Sequence, residues 1–171
     1  LVQSGEIGTV RHMTAHFGFP HVERNHSKYN AQAGGSALSD VGYYPVVMLS
    51  EWLDESPQII GATMETEAGY QIDTGGSCLL AFENGATATA HWGYGRDYIN
   101  EVKIVGETGT IIAHPVFSKP AHLTPSLVLR RQNQDTEIAV PACDQFTEML
   151  NGFVEMSMSQ ETKNLQRDTA L

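Results

Sequence analysis

Asp40 and Tyr44 stand four residues apart in a stretch with helical apolar spacing, so a carboxylate sits one turn below a phenol on one helix face. A phenol held beside a carboxylate or a cation can serve as an acid or base once its pKa is tuned away from about 10. The alternative is a helix-face hydrogen bond with no catalytic duty. Tyr43 is a competing phenol one residue away. Ahead of the pair, residues 21–35 are polar and carry Arg24, Asn25, Lys28 and Asn30. Such groups suit a polyhydroxylated ligand, because each buried hydroxyl wants a partner. They suit a bare surface loop equally. Further on, Arg96-Asp97-Tyr98 follows His91-Trp92-Gly93-Tyr94. A guanidinium among aromatics at a strand end can hold a sugar ring or a phosphate, or can belong to an ordinary loop.

Other chemistries find less support. The chain has 7 histidines. His12 and His16 fall on a predicted strand, where four residues at strand rise separate them by about 13 Å, too far for one zinc ion. His21 and His26 flank Glu23 in the loop, and hydrogen-bonded or solvated histidines are the expectation. The 2 cysteines, Cys78 and Cys143, lie far apart with no CxxC, which predicts free thiols and a cytoplasmic setting. Neither GxGxxG after a strand nor GxxxxGK[ST] occurs, so no dinucleotide pyrophosphate site is expected in this chain. With 20 acidic and 10 basic residues the net charge is −10. That argues against nucleic acid as a partner. No apolar run is long enough to span a bilayer, so no membrane partner is expected.

These residues need a scaffold, and 171 residues with 41% hydrophobic content fit one buried core, a single domain over 1–171. The opening LVQSGEIG, without Met, reads as a cut into a longer chain. Thr9–Phe19 is predicted as a strand ended by Pro20, and residues 21–35 as a loop. Ser36–Leu53 is predicted as a helix, capped by Ser36 and ended by Asp54, Ser56 and Pro57. Pro45 and Gly42 predict a break near Tyr43–Tyr44. Then come strands at Ile59–Thr66, at Tyr70–Glu83 with Asp73–Ser77 irregular, and at Ala86–Trp92. Asn84-Gly85 signals a two-residue type I′ turn. Hairpins follow at Glu101–Val105 with Thr110–Ala113 and at Ser126–Gln132 with Thr136–Val140. Cys143–Met158 reads as a helix, with a further helix toward Leu171. Ala81, Ala86, Ala88 and Ala90 should share one side of the pleat. The predicted class is α+β: an open, mostly antiparallel sheet with helices packed on one face and the other face solvated or an interface.

The segments GEIGTVRHM, GGSALSDVGYYPV and LAFENGATATAHWGYGRDYINEVKIVGETGTI together resemble the C-terminal domain of the glucose-fructose oxidoreductase, inositol dehydrogenase and rhizopine-catabolism (Gfo/Idh/MocA) oxidoreductases. The likeness runs from Gly5 to the helix near Phe153, and GG-x-x-L-x-D-x-G-x-[HY] is its most specific part. It implies a substrate-binding and dimerisation domain, with an N-terminal Rossmann domain, absent here, that holds NAD or NADP and a catalytic lysine. It implies that Asp40 is the motif aspartate, orienting Tyr44 or the substrate. Tyr44 takes the position of the acid/base that exchanges the substrate hydroxyl proton during hydride transfer on a sugar, polyol or nucleotide sugar. It further implies a homodimer or homotetramer through the open sheet face.

The stretch from Tyr94 onward is similar to the branch that reduces keto groups on nucleotide-linked deoxysugars. That branch carries Arg-Ala-Phe-[Thr/Ser]-x-Pro, where this chain reads His114-Pro115-Val116-Phe117-Ser118-Lys119-Pro120 and lacks the arginine. The chain alone is expected to be inactive. Two other readings stand beside this one: a non-catalytic dimerisation module, and a parent enzyme that uses NAD for elimination or hydrolysis.

Overall fold

The structure, a computed structural model, describes residues 1–52 and 56–158. The expected helix end at Leu53–Asp54 and the expected helix toward Leu171 lie outside those residues. The described chain forms two compact units, residues 1–118 with 125–139, and residues 119–124 with those from Val140 onward.

The first unit is built on one eight-stranded sheet. Its strands are β1 (Val10–Phe19), β2 (Gln58–Glu65), β3 (Gly75–Ala81), β4 (Thr87–Tyr94), β5 (Ile99–Gly106), β6 (Thr110–His114), β7 (Ser126–Arg131) and β8 (Gln134–Glu137). Their order is β2-β3-β4-β1-β5-β6-β7-β8. β1 lies between β4, to which it is parallel, and β5, to which it is antiparallel. The remaining pairs are antiparallel. An open, mostly antiparallel sheet is what the alternation and hairpin signals predicted.

Strand periodicity sorts the side chains onto two faces. Met13, Ala15 and Phe17 on β1 are in register with Ala88, Ala90 and Trp92 on β4, and all are buried. Val102, Ile104, Ile111 and Leu129 extend this core across β5, β6 and β7. On it packs a helical segment: a wider π turn over Leu38–Gly42, then α1 (Tyr43–Glu51). Val41, Pro45 and Leu49 of this segment are buried. Ala88 and Ala90 give room for this approach, and Gly42 meets the Trp92 indole with no space for a Cβ. The expected helix break is thus a change of helical pitch. Pro45 follows directly on the π turn, inside one continuous helical run, at the place where the pitch changes.

Several local expectations are corrected. Asn84-Gly85 is not a type I′ turn. The Gly85 N–H donates to Phe82 O at 3.0 Å and the Phe82 N–H to Ala86 O at 2.9 Å, with Gly85 at φ +83. That is a three-residue loop, a type I turn followed by a left-handed glycine. The left-handed pair lies instead at Gln132 (φ 50) and Asn133 (φ 61), joining β7 to β8. Residues 70–74 are irregular rather than strand, with Asp73 used as described below, while Gly75–Ser77, expected to be irregular, belong to β3. Ala81 is in register with Thr87, so it faces away from the Ala86, Ala88 and Ala90 side. Residues 27–33 form two short 3-10 turns within the expected loop.

The second unit contains α2 (Gln145–Met158). Asp144 caps it, its Oδ1 accepting from the Phe146 and Thr147 N–H groups at 3.1 and 3.3 Å.

Candidate functional site

The site forms where the C-terminal ends of β1 and β4 meet the π turn. Asp73 fixes the start of that turn: its Oδ2 accepts from the Leu38 N–H at 2.7 Å and its carbonyl from the Ala37 N–H at 3.1 Å. A carboxylate there also suits the positive end of the helical segment. Ser36 caps it too, its Oγ accepting from the Ser39 N–H.

This clamp sets Asp40. Its Oδ2 accepts from the Tyr94 hydroxyl at 2.9 Å and pairs with Lys28 Nζ. Tyr94 is 1% exposed. Burial, and then the Asp40 carboxylate, push its phenol well above the ordinary tyrosine value, so it stays a donor throughout the working pH range. Lys28 also lies 5.3 Å from the Phe19 ring centre. Asp40, Lys28 and Tyr94 join Gly34, Gly35, Ser36 and Ser39 around a small polar cavity of about 250 Å3.

Tyr44 is turned to other neighbours. Its ring meets Phe17 edge-on at 5.6 Å and Phe117 at 6.2 Å. It is 42% exposed, against 58% for Tyr43. Asp40 and Tyr44 are four apart, but the π turn changes the angular step between them. Asp40 is engaged by Tyr94 and Lys28, while Tyr44 is walled by Phe17 and Phe117.

Of the loop residues, Lys28 reaches the cavity. Arg24 lies 4.8 Å over the Tyr70 ring and donates to Gly69 O at 2.6 Å. Tyr70 in turn stacks on His21, whose Nε2 meets Glu67 at 3.0 Å. Asn30 folds the loop, with its Oδ1 accepting from the Gln32 N–H at 3.0 Å. Asn25 is exposed on a turn. Arg96 is on the opposite face of the sheet. It lies over Gly75, Gly93 and Gly18, which are in register across β3, β4 and β1, and it reaches Glu65 at 2.6 Å. Those three glycines leave a trough that the arginine fills, so Arg96 does not join the cavity residues.

Sequence reasoning named Tyr94 as part of an aromatic cluster but not as the partner of Asp40, and it missed Phe117 and Asn100. Tyr94 shares a strand phase with Ala90 and Trp92, and Asn100 shares one with Val102 and Ile104. A polar group on an apolar phase must find partners inside the fold, which is the signal that was available.

The chain offers no cradle for a dinucleotide pyrophosphate at its Gly34-Gly35 pair. The Gly34 N–H donates to Ala31 O at 3.2 Å and the Gly35 N–H to Asn30 O at 2.9 Å, so neither is free for a phosphate. Among the described residues, no group of three or more His, Cys, Asp or Glu converges to hold a metal ion. No helix among them is long and apolar enough to cross a membrane.

The GFO/IDH/MocA C-terminal domain model matches residues 1–112. The chain is 30% identical over 161 residues to the dTDP-3,4-didehydro-2,6-dideoxy-alpha-D-glucose 3-reductase of Actinomadura kijaniata, covering 94% of this chain and 48% of that protein. The enzyme of the same name from Saccharopolyspora spinosa is 31% identical over 153 residues, covering 90% and 46%. The crystal structure of a 3-ketoreductase from Actinomadura kijaniata in complex with NADP and TDP-benzene superposes with a TM-score of 0.85 at 30% identity, covering 90% of this chain and 47% of that one. The chain spans about half the length of the curated relatives it matches.

Proposed function

The chain belongs to the GFO/IDH/MocA C-terminal domain family, and from that membership we propose that it is the substrate-binding half of an NAD(P)-dependent oxidoreductase that reduces a keto group on a nucleotide-linked deoxysugar. Relatives named as dTDP-sugar 3-reductases support this substrate class. The cofactor, which supplies hydride, is held by another part of the protein, in keeping with the committed glycine N–H groups. Within this chain, Tyr44 gives its phenolic proton to the ketone oxygen as that oxygen becomes a hydroxyl. Asp40 and Lys28 hold the sugar hydroxyls at the cavity, and Tyr94 fixes Asp40. Arg24, Asn25 and Asn30 shape the loop that borders the substrate. Arg96, on the other face of the sheet with Glu65, is not assigned to this cavity.

The observation that carries this reading is the seating of Tyr44. A half-exposed phenol is fixed edge-on to Phe17, on the helical segment whose preceding turn holds the Asp40 network. A positioned acid contributes about 100- to 10,000-fold. Tyr44→Phe in the enzyme that carries this chain should therefore lower turnover by about 100-fold or more, with the fold unchanged. The assay follows nicotinamide absorbance with keto nucleotide sugars and each cofactor. Turnover within about threefold of the parent would end the acid/base role, since that is less than 1 kcal/mol of barrier.

We further propose that the open sheet face pairs two copies of the chain in the cytoplasm, as a homodimer or a pair of such dimers. Leu79, Ile112 and Val128 stand on that face, with Leu79 exposed. Unpaired apolar surface of this kind fits an interface.

A further inference from the structure

Asn100 is 0% exposed and stands on the core face of β5, in register with Phe17 on β1. An amide in that place must be satisfied from within. Its partners come from the segment after β6. Oδ1 accepts from the Val116 and Phe117 N–H groups, both at 2.8 Å. Nδ2 donates to Ser118 O at 2.9 Å and to the Tyr98 hydroxyl at 3.1 Å. The Asn100 carbonyl accepts from His114 Nδ1 at 3.0 Å. One side chain therefore bonds to the backbone of three consecutive residues, 116, 117 and 118.

That stretch of backbone aims Phe117. Its ring, 9% exposed, lies 5.5 Å from Phe17 and 6.2 Å from Tyr44, while Phe17 itself meets Tyr44 at 5.6 Å. Besides the adjacent Tyr43 ring at 6.0 Å, the Tyr44 phenol thus has two aromatic walls from outside its helix, one from β1 and one delivered by the loop that Asn100 holds. We propose that Asn100 is a positioning residue for Tyr44, acting through Phe117. This rests on the acid/base role given to Tyr44 above. Without the Asn100 amide, the buried Phe117 N–H and the part-buried Val116 N–H lose their acceptor, the loop turns toward water, and the phenol loses a wall.

Three substitutions test this in the protein that carries the chain: Asn100→Ser, Phe117→Leu and Tyr44→Phe, with each of the first two also combined with the third. Phe117→Leu keeps Asn100 and most of the apolar volume, so it carries the same comparison if Asn100→Ser does not fold. The expected result is a fall in kcat of about tenfold or more with KM changed less than about twofold, the mark of a misplaced reacting group. The double variants with Tyr44→Phe should fall no further than Tyr44→Phe alone, because the route runs through the phenol. In addition, 19F NMR of fluorotyrosine-labelled protein should show the Tyr44 line shifted in Asn100→Ser and Phe117→Leu; Tyr44→Phe identifies that line. Losses that add in full to Tyr44→Phe, or an unmoved Tyr44 line, would overturn the positioning role and leave the acid/base role standing. A fully active Tyr44→Phe would overturn both.

Discussion

His16 faces the open side of the sheet, 5.5 Å from the His91 ring, with its Nε2 buried and without a hydrogen bond. Glu101 stands opposite it on β5, and Arg96 lies nearby. Burial, then His91, then Arg96 hold its pKa below the usual 6.5. The unfolded chain therefore takes up this proton first as pH falls. Stability is unaffected above the unfolded value of about 6.5 and declines below it, down to the lower folded value. His16→Asn should flatten that decline, as read from urea midpoints measured on either side of the ordinary histidine value. An unchanged slope would place the acid sensitivity elsewhere. At this scale the spacing of Asp40 and Tyr44 drew attention to both residues, but the shared helix face read from it gave way to the π turn, which leaves Asp40 with Tyr94 and Lys28 and Tyr44 with Phe17 and Phe117. Those partners were not legible. Tyr94 comes to Asp40 from 54 residues away, and Phe117 reaches Tyr44 only through a loop that follows a later hairpin. The polar Asn100 within an apolar phase was the clue that the alternation contained.

Among the elements, the π turn and α1 decide where the site falls, and Gly42 decides how close they come to the sheet. A Cβ there would lie 2.8 Å from Trp92 Cγ, and Trp92 is buried. Gly42→Ala gains helix propensity but meets a ring that cannot move aside. It should lower stability by about 1–3 kcal/mol. Gly61→Ala on the edge strand β2 meets no atom within 4 Å and serves as the control. Equal urea midpoints for the two would deny the close approach. Pro45 with Gly42 predicted this irregularity, since both speak to backbone geometry directly. The Asn84-Gly85 signal located its hairpin but not its turn type. Loop length depends on which strand residues pair across it, and the pairing of Phe82 with Ala86 lay outside the dipeptide. The true left-handed pair, Gln132-Asn133, contains no glycine to mark it.

For the whole molecule, alternation and hairpins foretold an open, mostly antiparallel sheet with helices on one face, and in the first unit one helical segment packs there. They could not foretell the parallel β1–β4 pair, because no turn links those strands. The open face that results bears on association. Leu79→Arg places a charge among Thr89, Thr14 and Lys103, which share its row. It should weaken self-association by about tenfold or more in sedimentation while leaving the thermal midpoint of the monomer nearly unchanged. Undiminished association would move the interface to another surface.

The central place of β1 also sets a timetable. Among the described strands it is synthesised first, yet its two neighbours begin only at Thr87 and Ile99. Until both emerge, a ten-residue ribbon carrying Met13, Ala15 and Phe17 has no partner on either edge. Closing such distant pairs is slow, because chain entropy is lost before contacts repay it. The earliest of the described strands is then the one whose edges wait longest, and that interval is when this chain is most open to mispairing with its neighbours.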